Sequence, residues 1–328
     1  MTEQPSVGIV SVGTYSPAGY LSAAEIAAAS GLPEWVIRDK MGISGKHVAG
    51  PDDQPNEMAI KAALDCLSQT DIPASEIDVV LCTTEEWREY LLWTTGIHLA
   101  HEIGATKAWA VDLHMRCATT VGAMKMARDM MLADPEINTV LIAGGYRVSD
   151  FIDFRNPRTS FMWNIATGAG AMLLRKGWPR NHVLGSHIIV DGSMSKHVII
   201  PASGSAQFAT PQAMAGNSLP PEQFYFDLVE PEAMKNRLNA VSMDNWLRCV
   251  DEALRKSGRK PDGASYTRSD IDYLNMILIK PSGHREMLEH LGLVEDQSVY
   301  LGAIGHTGEQ DAMFSIREGL AAGRLKDG

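Results

Sequence analysis

Three short apolar runs rich in Val and Ile punctuate the first half of the chain: VGIVSVG at 7–13, IDVVLCTT at 77–84 and TVLIAGG at 139–145. Each has the length and composition of one buried strand. Between them, residues 56–68 and 120–132 carry apolar positions at helical spacing and are built from good helix formers, Ala, Met, Leu and Lys among them. Strands that alternate with helices in this way must be covered by those helices, so the chain is read as an α/β layered fold with a largely parallel sheet.

The second half repeats the theme less clearly. HVLGSHIIV near 182–190 and YLNMILIK at 273–280 read as strands, and helices are expected from about Met234 to Lys256, after Ser282 and after Gln310. With 328 residues, two cores or one large duplicated architecture are expected. The boundary falls where the apolar run GAGAMLL gives way to RKGWPRN, dividing the chain into halves 1–177 and 178–328. Residues 201–224, rich in Ala, Ser, Gly, Pro and Gln, are read as a long loop near the site.

Composition narrows the function classes. Forty Asp and Glu against 29 Lys and Arg give a formal charge of −11, which disfavours a broad nucleic-acid surface and, more mildly, an acidic carrier protein, although a few arginines at one tunnel mouth suffice for the latter. Cys66, Cys82, Cys117 and Cys249 are far apart and form neither a CxxC pair nor a metal-ligand cluster, so free thiols in a reducing compartment are expected. The opening MTEQPSVGIVSVG lacks a basic segment followed by an apolar one, and no stretch is apolar enough to span a bilayer. The reading is a cytoplasmic protein with no membrane segment and no metal.

Cys117 stands out on local grounds. It follows AWAVDLHMR, a candidate strand, and precedes ATTVGAMKMARDMM, a candidate helix, which puts its thiol at a strand-to-helix turn. Unpaired N–H groups and the positive end of the helix dipole favour a thiolate there and so a nucleophile. A buried structural cysteine is the alternative.

Four segments, VGTYSP, PEWVIRDKMGISGKHV, DLHMRCATTVGAM and TGAGAMLL, closely resemble in order and spacing those of ketoacyl-ACP synthase III and its relatives in the thiolase superfamily. The resemblance runs from about Val7 to Gly328. It implies a five-layered αβαβα arrangement of two similar halves, a homodimer through the N-terminal half, and Cys117 as the acyl-accepting residue. It also implies coenzyme A thioesters as substrates and no further cofactor, with acyl carrier protein as the other candidate donor. The activity implied is a Claisen-type condensation of an acyl-CoA with a malonyl or acetyl thioester. Acyl transfer to an oxygen or nitrogen nucleophile is one alternative, and a partner-dependent, non-catalytic subunit of a larger acyltransferase complex is another.

The histidine motifs depart from the family. IKPSGHREML has Pro281 where the first family histidine is expected, and His284 three residues on, either reaching the pocket or lying exposed on a helix capped by Ser282. IGHTGEQDA has His306 in place of the family Asn and looks like the GHxxG segment of thiolases and elongating ketosynthases. Neutral imidazole at this place can donate to an enolate oxygen or accept a proton; the other reading is a turn histidine packed beside Gly305 and Gly308. Asp311 either orients an imidazole or serves a helix N-terminus.

For the nucleotide end of the thioester, Trp35 and Lys40 occupy approximately the places of a family tryptophan and arginine, one residue out of register, and Arg158 lies near another family arginine. Glu85 and Glu86 fall close to the acid–base glutamate of the related 3-hydroxy-3-methylglutaryl-CoA synthases. WREYLLW at 87–93 corresponds to the region lining the family's dimer interface and acyl pocket, and Arg88 or Arg147 are candidates for pairing a substrate carboxylate. The resemblance also implies a further strand and Gly-rich loop beyond Lys326-Asp327-Gly328, completing an oxyanion hole, which the sequence as given does not carry.

Overall fold

The computed structural model describes residues 6–85, 87–202, 204–207 and 220–327. Five strands form the central sheet: β1 (Val7–Tyr15), β4 (Val79–Cys82), β5 (Trp109–Asp112), β6 (Thr139–Tyr146) and β7 (Gly168–Lys176), in the order β1-β7-β6-β4-β5. A separate ribbon pairs β2 (Gly19–Ser22) with β3 (Gly45–Val48), and the short helix α1 (Ala23–Ser30) leaves the end of β2. Every residue of β6 is buried, which is why its sequence is continuously apolar or small instead of alternating.

Helices α2 (Pro55–Leu67) and α3 (Thr95–Glu102) cover one face of the sheet, with Met58, Ala59, Ala62 and Leu99 in its core. On the other face, α4 (Thr119–Ala133) and the helix Asp311–Ala321 contribute Ala123, Ala127, Met131 and Met313. Backbone approach is tight on the first face: a Cβ on Gly13 of β1 would stand 2.2 Å from the Ala62 carbonyl oxygen. Cys82 and Asp112, the last residues of β4 and β5, stand level with Ala143 of β6, which runs three residues further to Tyr146. In α/β sheets the carboxyl ends of parallel strands are where ligands are held.

Two expectations need correction. The sheet is mixed, because β7 runs antiparallel to both β1 and β6 while only the β4–β5 and β4–β6 pairs are parallel. The cause is the excursion 147–167, which returns the chain beside β6 without a helical crossover. In the second half, 182–190 and 273–280 form no ladder among the described residues; their contacts are isolated bridges such as Gly8 with His182 and Leu274 with Ser298. Strand-like composition makes a strand only where a neighbour lies within hydrogen-bonding distance. The expected helices are present as Pro231–Lys256, Pro281–Leu291 and Asp311–Ala321, and the first two share a core of Leu247, Val250, Met287 and Leu291. Of the loop read over 201–224, residues 203 and 208–219 lie outside the described residues. Among the described residues no helix is long and apolar enough to cross a membrane.

Lys46 in β3 is 1% exposed and donates to the Ile165 carbonyl at 2.6 Å, with its ammonium 4.9 Å from the Phe154 ring centroid. Burial pulls its pKa down to about 7 from the ordinary lysine value of 10.5. Between those values the unfolded chain holds a proton that the folded protein has released, so stability rises with pH across this window. Urea unfolding at pH 7 and pH 10 should show that rise, with a slope of at most about 1.4 kcal/mol for each step of one in pH. Lys46→Met should abolish it; a rise of the same size in the variant would assign it to another group.

Candidate active site

Cys117 lies at the junction of β5 and α4, as its sequence context predicts. After Asp112 the chain turns through Leu113–Met115, makes one 3-10 turn at Arg116–Ala118 and enters α4 at Thr119. Thr119 clamps the turn from both sides: its Oγ1 donates to the Arg116 carbonyl at 2.7 Å and accepts from the Met115 N–H at 2.7 Å. Arg116 has φ of +56°, a left-handed backbone that only glycine adopts without cost. The conformation holds the next side chain, Cys117, toward the ends of the parallel strands.

His306 reaches the same point from the second half. Its Nε2 is 3.2 Å from Cys117 Sγ, and its Nδ1–H donates to Asp311 Oδ2 at 2.6 Å, the tautomer being fixed by this pairing. Asp311 accepts in addition from the Thr307 N–H at 2.7 Å, the Thr307 hydroxyl at 2.8 Å and the Leu278 N–H at 2.7 Å. The two readings of Asp311 are both correct, since it also begins its helix. Gly305 and Gly308, on either side of the histidine, have φ of +91° and +64°, and a Cβ on Gly308 would meet the Tyr146 ring at 2.6 Å. Burial alone would lower the His306 pKa, but the Asp311 carboxylate and the Cys117 sulfur outweigh it and hold the imidazole well above its usual value. Sulfur, imidazole and carboxylate thus form a line in which a proton leaving the thiol has an acceptor already oriented.

The other cysteines are placed differently. Burial pushes the Cys66 thiol up to about 11 and Cys82 up to about 12, and raises Cys249 as well, so these three are held as neutral thiols.

His284 is not brought to the sulfur. It sits in the first turn of Pro281–Leu291, buried, with its ring edge-on to Tyr300 at 5.4 Å, and burial lowers its pKa. Ser282 does not cap this helix; Lys280 occupies the cap position and Pro281 the first helical one, where its missing N–H costs nothing.

Trp35 and Lys40 do come together, the Lys40 ammonium lying 4.9 Å from the centroid of a Trp35 ring that is 49% exposed. Between them the chain makes a π turn at Val36–Lys40, closed by the Met41 N–H to the Val36 carbonyl at 3.0 Å. Arg158 is half exposed and engaged with Asp227 at 3.5 Å and with the Leu228 carbonyl. Arg88 is tied to Asp112 at 2.6 Å, and Arg147 to Asp150 at 2.8 Å and to the Asp53 carbonyl, so both serve internal pairs. Glu86 lies outside the described residues.

Sequence reasoning passed over four groups beside the sulfur. Arg116 pairs with the buried Glu85 carboxylate at 3.3 Å. Tyr146 is enclosed at the end of β6, its hydroxyl pKa raised by burial and then by the nearby Cys117, Glu309, Glu85 and Asp311. Glu309 is 1% exposed, and Gln310 donates from Nε2 to Glu309 Oε1 at 2.8 Å and to Thr83 Oγ1 at 3.0 Å. Only the GEQD run, four residues behind a glycine-bracketed histidine, hints at them.

An αβα sandwich thus carries a cysteine at a strand-to-helix turn with a carboxylate-oriented histidine facing it. The sequence profile of the 3-oxoacyl-[acyl-carrier-protein] synthase III family matches residues 111–192, the segment that contains Cys117. A relative from Sulfurovum sp., a beta-ketoacyl-[acyl-carrier-protein] synthase III, is 25% identical over 320 residues, covering 97% of this chain and 88% of its own. The solved 3-oxoacyl-(acyl carrier protein) synthase III of Pseudomonas aeruginosa PAO1 superimposes with a TM-score of 0.78 at 20% identity, over 98% of this chain and 92% of that one. OleA of Xanthomonas campestris, solved with bound lauric acid and lauroyl-CoA, gives 0.77 at 15% identity, over 99% and 93%. The chain is thus similar to ketoacyl-ACP synthase III proteins in sequence and has the thiolase-type fold.

Proposed function

We propose that the protein is an acyltransferase that carries an acyl group on Cys117 and condenses it with a second acyl thioester in a Claisen reaction. The Cys117–His306–Asp311 line is the observation that carries this reading. The thiol of Cys117 gives its proton to His306 and attacks the acyl-CoA carbonyl; the coenzyme A thiolate leaves and is protonated by solvent, while His306, held charged by Asp311, keeps that proton on Nε2. His306 then faces the acyl-enzyme as a donor to the enolate of the second thioester, which attacks the acyl carbon. The product is a β-ketoacyl thioester. No metal or redox group takes part in these steps. Incubation with a labelled acyl-CoA and a second thioester, followed by mass analysis of the products, tests the reading: a labelled β-ketoacyl thioester is expected, and its absence in the presence of acylated Cys117 overturns it.

A second reading is favoured by one observation. A histidine held by a buried aspartate is a base suited to activating a hydroxyl or amine, where the family asparagine is not. Under that reading the label appears in an ester or amide when an alcohol or amine is supplied.

Trp35 and Lys40 are proposed to stack on the adenine and pair with a phosphate of coenzyme A, with Arg158 at the edge of the same mouth. Trp35→Ala should raise KM for the acyl-CoA about tenfold while leaving kcat within about twofold, since a lost stacking contact of about 1–2 kcal/mol removes binding shared by ground and transition states. A fall in kcat alone would move Trp35 out of the binding site.

His284 is proposed to line the pocket from the first turn of its helix and not to touch the sulfur. We also place the division between the halves near residue 177, with the helix Asp311–Ala321 of the second half packed on β1 and β7 of the first. A homodimer is inferred from the sheet edge at β5 and from Tyr90, Leu91, Leu92, Ile97 and Trp109, large apolar side chains exposed on the same half. Acyl carrier protein remains a candidate donor, and the cytoplasm, which keeps thiols reduced, suits four free cysteines.

A further inference from the structure

Glu309 has a position that the steps above do not use. It sits in the turn Gly308–Gln310, which packs against the turn Arg116–Ala118, and its backbone carbonyl accepts from the Thr120 hydroxyl at 2.6 Å. Gln310 Nε2 links its carboxyl to Thr83 Oγ1, just beyond β4, and the carboxyl lies within electrostatic reach of Tyr146 at the end of β6, of Glu85 and of Cys117. One carboxyl oxygen accepts from Gln310, while Oε2 is fully enclosed and has no hydrogen-bond partner in the structure. A buried carboxyl oxygen without a partner is costly unless it is protonated or meets a ligand. Burial is the first cause that raises its pKa well above the carboxylate range, and the nearby Glu85 charge is the second. Of the two carboxyl groups, Glu85 is the one paired with a cation, Arg116 at 3.3 Å.

Resting on the condensing reading above, we infer that Glu309 is a proton-bearing carboxyl that, with the Glu85 carboxylate, moves the α-proton of the second thioester, so that the carbon nucleophile arises by deprotonation of an acetyl-type thioester and not by loss of carbon dioxide from a malonyl group. The carboxylate takes a proton from the α-carbon, and the electron pair of that C–H bond moves onto the thioester oxygen as an enolate, to which the Glu309 O–H donates. The enolate carbon then attacks the acyl carbonyl on Cys117: a C–C bond forms, the C–S bond breaks, and the proton gained by the carboxyl pair returns the departing sulfur to a thiol. The surrounding charge selects the same substrate. Asp311 and Glu85 are the acidic groups of this corner beside the proton-bearing Glu309, and the cations facing them, Arg116 and a protonated His306, are already paired. A malonyl carboxylate would add a further negative charge to this corner, whereas an acetyl thioester brings none.

Acetyl-CoA incubated with the protein in D2O is expected to gain deuterium in its methyl group, and carboxyl-labelled malonyl-CoA to release no carbon dioxide above the protein-free background. Glu309→Gln should slow the exchange about a hundredfold while acylation of Cys117 by an acyl-CoA, read from intact mass, stays within about threefold of the parent. Absence of exchange in the unaltered protein, release of carbon dioxide from malonyl-CoA, or undiminished exchange in the glutamine variant would each overturn the inference. The exchange and decarboxylation assays need only the unaltered protein, so they decide even if the variant does not fold. Loss of Cys117 acylation altogether would instead sink the condensing reading.

Discussion

Cys117→Ala protein, mixed with an acyl-CoA and weighed intact, is expected to show no acyl adduct and to lose condensation by about a thousandfold or more, because no other group can take the place of the covalent carrier. The substitution is also structurally mild. The turn at Arg116–Ala118 is held by the Thr119 hydroxyl and the backbone, not by the sulfur. Thermal unfolding should therefore shift little, which separates a lost nucleophile from a lost fold. Cys66→Ala and Cys82→Ala provide the contrast: both thiols are buried in the sheet region and pushed up by burial, so the adduct should persist in each. An adduct that survives in Cys117→Ala, or disappears in Cys66→Ala, would move the acyl group elsewhere.

Asp311→Asn should be the second most damaging change. The aspartate accepts from the His306 ring, from both polar groups of Thr307 and from the Leu278 N–H. Asparagine can satisfy some of these donors with its carbonyl, but its NH2 group turns the ring toward the wrong tautomer, and kcat should fall about 10²–10⁴-fold. The effect on stability has a definite sign. A histidine whose pKa is raised by folding contributes stability that is complete below its ordinary value of 6.5 and is lost as pH rises through the folded value. Removing the carboxylate removes that contribution, so the gap in unfolding free energy between parent and variant should be widest below pH 6.5 and narrow as pH rises. A gap that widens with pH would mean that the aspartate acts mainly through Thr307 and Leu278.

How much of this was legible depended on how local each signal is. β1, β4, β6, α2 and α4 follow from runs of residues whose burial pattern is their own, and Cys117 from a strand, a turn and a helix adjacent in sequence. His306 was legible through the likeness of GHTG to the GHxxG segment, and the structure gives the glycines on either side a backbone that other residues resist. The antiparallel return of β7 was not, since strand direction is set by the path of 147–167 and no composition in β7 itself encodes it. The stretches 182–190 and 273–280 look like strands because apolar alternation records a half-buried surface, not the presence of a neighbour. Glu309 was the most hidden: a glutamate ahead of a helix reads as a solvated charge, and only Thr83, Thr120 and Tyr146, distant in sequence, enclose it. Arg88 and Arg147, candidates for pairing a substrate carboxylate, already meet Asp112 and Asp150.

The widened turn at Val36–Lys40 has a geometric consequence. Around an α-helix, residues five apart stand about 140° from one another, on nearly opposite sides. A hydrogen bond spanning five residues lengthens the circuit by one, which returns Lys40 to the side of the helix where Trp35 stands. The pairing of indole and ammonium is thus a property of the winding: were the same residues wound as a regular α-helix, the two side chains would face apart.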